Sequence, residues 1–101
     1  GIDIDSYGNS YFTSYRFNNK SLRKLNGSGS LLWDYDTGDD TNRVTVDNGN
    51  VYVAGLRSNS KSVWKLDNSG AFIWSYDTGD NTYDIAVDGN GNVCVAGARI
   101  L

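Results

Sequence analysis

Two stretches of the chain gather oxygen-bearing side chains closely enough to do chemistry. They are Asp36-Thr37-Gly38-Asp39-Asp40 with Asn42, and Asp77-Thr78-Gly79-Asp80-Asn81 with Tyr83. Repeated carboxylates, amides and a phenol suit a sugar, held by hydrogen bonds and aromatic stacking, or a cation. Asp and Gly at these spacings are also what tight turns demand for backbone reasons alone. A calcium loop of the helix-loop-helix kind needs acids at alternating positions and a closing bidentate Glu, and the sequence contains no Glu. The D-T-G-D-D word and the Asp88, Gly89, Asn90, Gly91, Asn92 run therefore read as turns, and no metal is expected. Cys94 is the single thiol and the chain has no His to activate it, so no nucleophilic triad can be assembled. Cys94 is expected to be a buried structural residue. No catalytic residue is assigned and the protein is expected not to be an enzyme.

Composition narrows the rest. Of 101 residues, all twelve acids are Asp, and Pro, Met, His, Glu and Gln are absent. The helix-forming vocabulary is thin, while strand formers such as Val, Thr, Tyr and Trp alternate with Gly, Asn and Asp turn formers. A net charge of −3 argues against nucleic acid, whose binders carry a basic stripe. No apolar run approaches the roughly 20 residues of a membrane-spanning helix, so no membrane partner is expected.

The elements that must position these residues come from an internal repeat. Residues 20–47 align with residues 61–88: Lys24 falls on Lys65, Trp33 on Trp74, Tyr35 on Tyr76, and Asp36, Thr37, Gly38, Asp39 on Asp77, Thr78, Gly79, Asp80, an offset of 41. The match runs on through Asn50-Val51-Tyr52-Val53-Ala54-Gly55 against Asn92-Val93-Cys94-Val95-Ala96-Gly97, and the N-terminal segment repeats the same half of the unit. Each unit reads as four short strands separated by Asn/Gly turns. Four strands in about 41 residues is the blade of a β-propeller. The predicted fold is all-β, with about 2.5 blades of four antiparallel strands per chain: residues 1–40, residues 41–81, and residues 82–101 as a half blade of two inner strands.

The words Lys65-Leu66-Asp67, Gly70, the run from Trp74 to Asp80 and the run from Val87 to Gly97 resemble quinoprotein-type propeller repeats, and related bacterial repeats built on D-x-x-G-N-x-Y-V-x-G. The resemblance covers essentially the whole chain. It implies a blade, and it suggests one enzymatic alternative, a fragment of a quinone-dependent dehydrogenase. Such a fragment would need a planar cofactor pocket and a catalytic Asp beside calcium, neither of which can be assigned, so no cofactor is expected. A designed or primitive propeller without a ligand is a third reading.

Propellers close with four to eight blades. Ten strands do not close a ring, so either the chain is a fragment of a longer one or several copies assemble a ring, with cyclic symmetry the natural arrangement; the homo-oligomer is the preferred expectation. Blade topology puts the loop leaving the outermost strand on the same face as the loop between strands two and three. That face would carry Asp36, Asp39, Asp40, Asn42, Asp77, Asp80, Asn81 and Tyr83, the candidate site for a glycan. The opposite face, residues 26–30, 48–50, 68–70 and 89–92, reads as minimal turns. Trp33, Tyr35, Trp74 and Tyr76 are expected to fill the gaps between blades, with Trp64 less clear because its repeat partner is the polar Arg23. The expected role is a structural or binding scaffold, similar to tachylectin-type lectins at the level of fold only.

Overall fold

The computed structural model describes residues 1–97; residues 98–101, the end of the expected half blade, lie outside the described residues. Among the described residues ten strands run in chain order: β1 (Ile2–Ile4), β2 (Ser10–Phe17), β3 (Lys20–Leu25), β4 (Leu31–Tyr35), β5 (Thr41–Asp47), β6 (Asn50–Ser58), β7 (Lys61–Asp67), β8 (Phe72–Tyr76), β9 (Thr82–Val87) and β10 (Val93–Gly97). They form two four-stranded sheets, ordered β1-β2-β3-β4 and β5-β6-β7-β8, and a β9-β10 pair. Every pairing is antiparallel.

Turn chemistry explains why each strand stops where it does. Three hairpins close on residues held at positive φ: Asn18 and Asn19, Asn48 and Gly49, and Asn59 and Ser60. Two successive left-handed residues give the type I′ turn, whose twist matches that of paired strands. Four other turns use a side chain instead. Asp5, Asn26, Asp67 and Asp88 each accept, on one side-chain oxygen, the backbone N–H groups two and four residues ahead. This is the Asx capping that makes Asn and Asp turn formers.

Strand alternation sends neighbouring side chains to opposite faces, and β6 is buried on both. Val51 and Val53 face the first sheet and join Tyr11, Leu22, Val44, Trp64 and Leu66 in one core. Tyr52 and Ala54 face the β9-β10 pair and join Val63 and Ile85 in a second. The first sheet is covered on one face only, so Ile2 and Ile4 are exposed on the other. The β9-β10 pair is likewise open on its far side, which leaves Cys94 exposed. The expectation of a buried thiol is thereby corrected: the strand pattern puts Cys94 on a face that no described residue covers.

The joint between the two full sheets also involves the turns. Lys24 Nζ and Trp33 Nε1 both donate to the Asn68 carbonyl, at 2.7 and 3.0 Å, and a Cβ on Gly70 would lie 2.8 Å from the Trp33 ring. Gly29 holds the same place in the first sheet, at the same φ of 85°, with nothing within 4 Å. Gly70→Ala therefore carries both the left-handed strain, about 1–2 kcal/mol, and a clash at the joint, whereas Gly29→Ala carries only the strain. Urea denaturation of the two variants is expected to show the larger midpoint loss for Gly70→Ala; equal losses would mean that the turn does not brace the sheets.

Candidate functional site

The loops at one end of the sheets meet as pairs. In the first unit, the Arg16 guanidinium at the end of β2 reaches Asp36 through Nε at 2.8 Å and Nη2 at 2.7 Å, while its backbone N–H donates to Asp40 Oδ1 at 2.6 Å. In the second, Arg57 repeats this on Asp77 at 2.8 and 2.8 Å and on Asn81 Oδ1 at 2.8 Å. Asp36 Oδ1 and Asp77 Oδ1 also accept the backbone N–H of Gly38 and Gly79. The Arg16 hydrogen bond holds the Asp36 carboxyl below its ordinary range, and Arg57 does the same for Asp77. Both stay ionised, which suits a brace and removes them as proton donors near neutral pH.

The neighbouring groups are similarly engaged. Asp39 Oδ1 accepts the Asp40 N–H and Asp80 Oδ1 accepts the Asn81 N–H. Asn42 Nδ2 donates to the Thr82 carbonyl at 2.8 Å, tying the start of β5 to the start of β9, and Asn81 Nδ2 reaches the Tyr83 hydroxyl at 3.4 Å. Beneath them, Thr41 Oγ1 donates to the Ser21 carbonyl and Thr82 Oγ1 to the Ser62 carbonyl, while Ser21 and Ser62 pair with Thr37 and Thr78. The structure thus gathers the candidate residues of each unit at one end, and spends much of their hydrogen-bonding capacity on the connection from one sheet to the next. Among the described residues, no three acidic or thiol groups gather in a way that would hold a metal ion.

The aromatic side chains divide. Trp33 and Tyr35 pack against the first core and Trp74 against the second. Tyr76, expected to pack, is 62% exposed. Its repeat partner Tyr35 has a full sheet opposite, whereas Tyr76 looks past the two-stranded β9-β10 pair onto an apolar notch of 240 Å³ lined by Val63, Trp74, Tyr76, Val93 and Val95. Trp64, the aromatic least clear from the sequence, is buried at 4% exposure.

Concavities also lie at the opposite end, among the turns that the sequence reads as minimal. Two grooves of about 440 Å³ each occupy equivalent places between successive sheets. Tyr11 and Tyr52 lie in them, each with a lysine ammonium over its ring: Lys24 at 4.9 Å and Lys65 at 5.3 Å. In the first groove the polar groups satisfy one another. Tyr11 donates to Asp5 Oδ2 at 2.8 Å, and Asp5 also accepts from Tyr7 and Asn9. Burial raises the Asp5 carboxyl, but these donors outweigh it and bring it down to about 2. The signal for this end is the Asp and Tyr recurring at Asp5 and Tyr11 and at Asp47 and Tyr52.

No protein-family model and no curated protein matches this chain.

Proposed function

We propose that the chain is a non-enzymatic β-propeller scaffold, several copies of which close one ring, and that it serves a binding role with a glycan as the ligand class. The observation that carries this reading is the repetition of one joint. Ser21 with Thr37 and Thr41, and Ser62 with Thr78 and Thr82, make the same hydrogen bonds at the same 41-residue offset. Each set leads from the outermost strand of one sheet to the innermost strand of the next. A joint repeated with one geometry is a rotation repeated, and repeated rotation of stacked sheets about an axis generates a propeller.

The end faces support self-association. Ile2 and Ile4 of the first sheet stand in the positions that Val44 and Val46 occupy in the second, where they help form the core. Exposed apolar surface built to the pattern of a buried face is a docking surface in waiting, and a head-to-tail contact between copies closes into a ring when its rotation does. Native mass spectrometry on the full chain is the test. The expected result is a discrete multiple of the 11.1 kDa chain mass at micromolar concentration; a cooperatively folded monomer would refute the assembly.

A further inference from the structure

We propose that the groove between the second sheet and the β9-β10 pair is a binding site for a neutral sugar with adjacent hydroxyls. The ligand class rests on the binding role proposed above; the location does not follow from it.

Four polar side chains share one face of the second sheet there. Asp47 pairs across β5-β6 with Asn50, Tyr52 across β6-β7 with Lys65, and the period-2 alternation of β6 puts Asn50 and Tyr52 on the same side. All four line the groove, closed opposite by Gly89, Asn90 and Gly91. Tyr52 is 2% exposed, yet its hydroxyl makes no hydrogen bond with any described residue, in contrast to Tyr11 with Asp5. No buried side-chain polar atom among the described residues lacks a partner, so the Tyr52 hydroxyl opens onto the water of the groove, where a ligand oxygen can take that water's place.

The reason for the difference is local. Asp5 heads a longer turn and curls its carboxylate inward to cap it. Asp47 precedes the two-residue turn of Asn48 and Gly49, whose backbone closes without a side-chain cap, so its carboxylate accepts no hydrogen bond among the described residues. For Lys65 the cause is the neighbouring unit: the carbonyl that Lys24 finds at Asn68 belongs to the β7-β8 turn, and the β9-β10 pair offers no such turn among the described residues. Asp47 and Lys65 line one groove without forming an ion pair.

These groups define the ligand by its chemistry. A carboxylate accepts, an ammonium donates, and a phenol and amides do both, which matches the adjacent hydroxyls of a sugar, each both donor and acceptor. The opposite charges of Asp47 and Lys65 disfavour an isolated cation or anion equally, leaving a neutral ligand. About 440 Å³ is within the range of small-molecule sites. The Tyr52 ring is already covered by Lys65, so recognition is by hydrogen bonds rather than stacking.

The test is a titration of the ¹⁵N-labelled full chain with methyl α-mannopyranoside and methyl β-galactopyranoside, followed by amide shifts. The expected result is movement of the Asn48, Gly89 and Asn90 amides with at least one of the two sugars, and none at Gly38 or Gly79. Asp47→Asn and Lys65→Met should each weaken binding about ten-fold or more, the effect of removing a charged partner. Their unperturbed spectra elsewhere would show that they fold. Absence of shifts with both sugars, shifts confined to residues 36–42 or 77–83, or undiminished binding in both variants would overturn the site. Native mass spectrometry of the same samples separates the two proposals: an assembled protein that ignores both sugars refutes the groove alone, and a sugar-binding monomer refutes the ring alone.

Discussion

Trp64→Ala is expected to be the most damaging single substitution, lowering the melting temperature by about 15 °C or more. Trp64 sits on β7 in the core between the two full sheets, with Tyr11, Leu22, Val44, Val51 and Val53. Its ring also fills the space left by Gly55, where a Cβ would stand 3.2 Å from Cζ3. Truncating a buried Trp costs about 3–5 kcal/mol, against a total of roughly 5–15 kcal/mol for an ordinary domain. At this chain length each kcal/mol shifts melting by about 4–8 °C. Trp74→Ala should cost less, because Trp74 is only partly buried and, unlike Trp33 on Asn68, makes no hydrogen bond through its indole with a described residue. Thermal melts followed by circular dichroism check both. A Trp64→Ala protein melting within 5 °C of the parent would show that the sheets do not depend on this core.

Acid should unfold the protein steeply between about pH 4 and pH 2. Six aspartates, Asp5, Asp36, Asp67, Asp77, Asp84 and Asp88, have carboxyls held below their ordinary value. In the unfolded chain an Asp takes up its proton near about pH 3.9. Asp5 in the folded chain does so only at about 2. The unfolded state therefore binds protons first as pH falls, and the stabilisation present above about pH 4 is lost progressively down to the folded value.

Salt separates two kinds of cause. Asp36, Asp77 and Asp84 owe their shift first to Arg16, Arg57 and Arg43 on the surface, and surface ion pairs weaken with ionic strength. Asp5 is held down by Tyr11, Asn9 and Tyr7, all neutral donors. Melting curves from pH 7 to 2.5, in low and in 0.5 M salt (about a 4 Å screening length), should show a shallower acid loss in salt that does not vanish. Asp5→Asn should lower the melting temperature at pH 7 and flatten what remains. A melting temperature unchanged down to pH 2.5 would contradict the whole scheme.

The sequence by itself determined the strands, the turns and the repeat, because these are set within a few residues. Alternation along Val51, Tyr52, Val53 and Ala54 specifies a strand whatever lies beside it, and Asn48-Gly49 specifies a tight turn. It also brought Arg16 and Asp36 to the same end of the sheet, since both flank connections on one side. Only the tertiary structure decided which faces are covered and which polar groups are captured. Cys94 and Tyr52 share a repeat position, yet one is exposed and the other buried, because the second sheet has a neighbour on each side and the β9-β10 pair has one. Asp5 and Asp47 share another, yet only Asp5 receives a tyrosine hydroxyl, because one more residue in its turn lets the carboxylate fold inward. Repetition fixes where a side chain begins. Its partners depend on what packs against that copy, and packing is a property of the neighbouring unit.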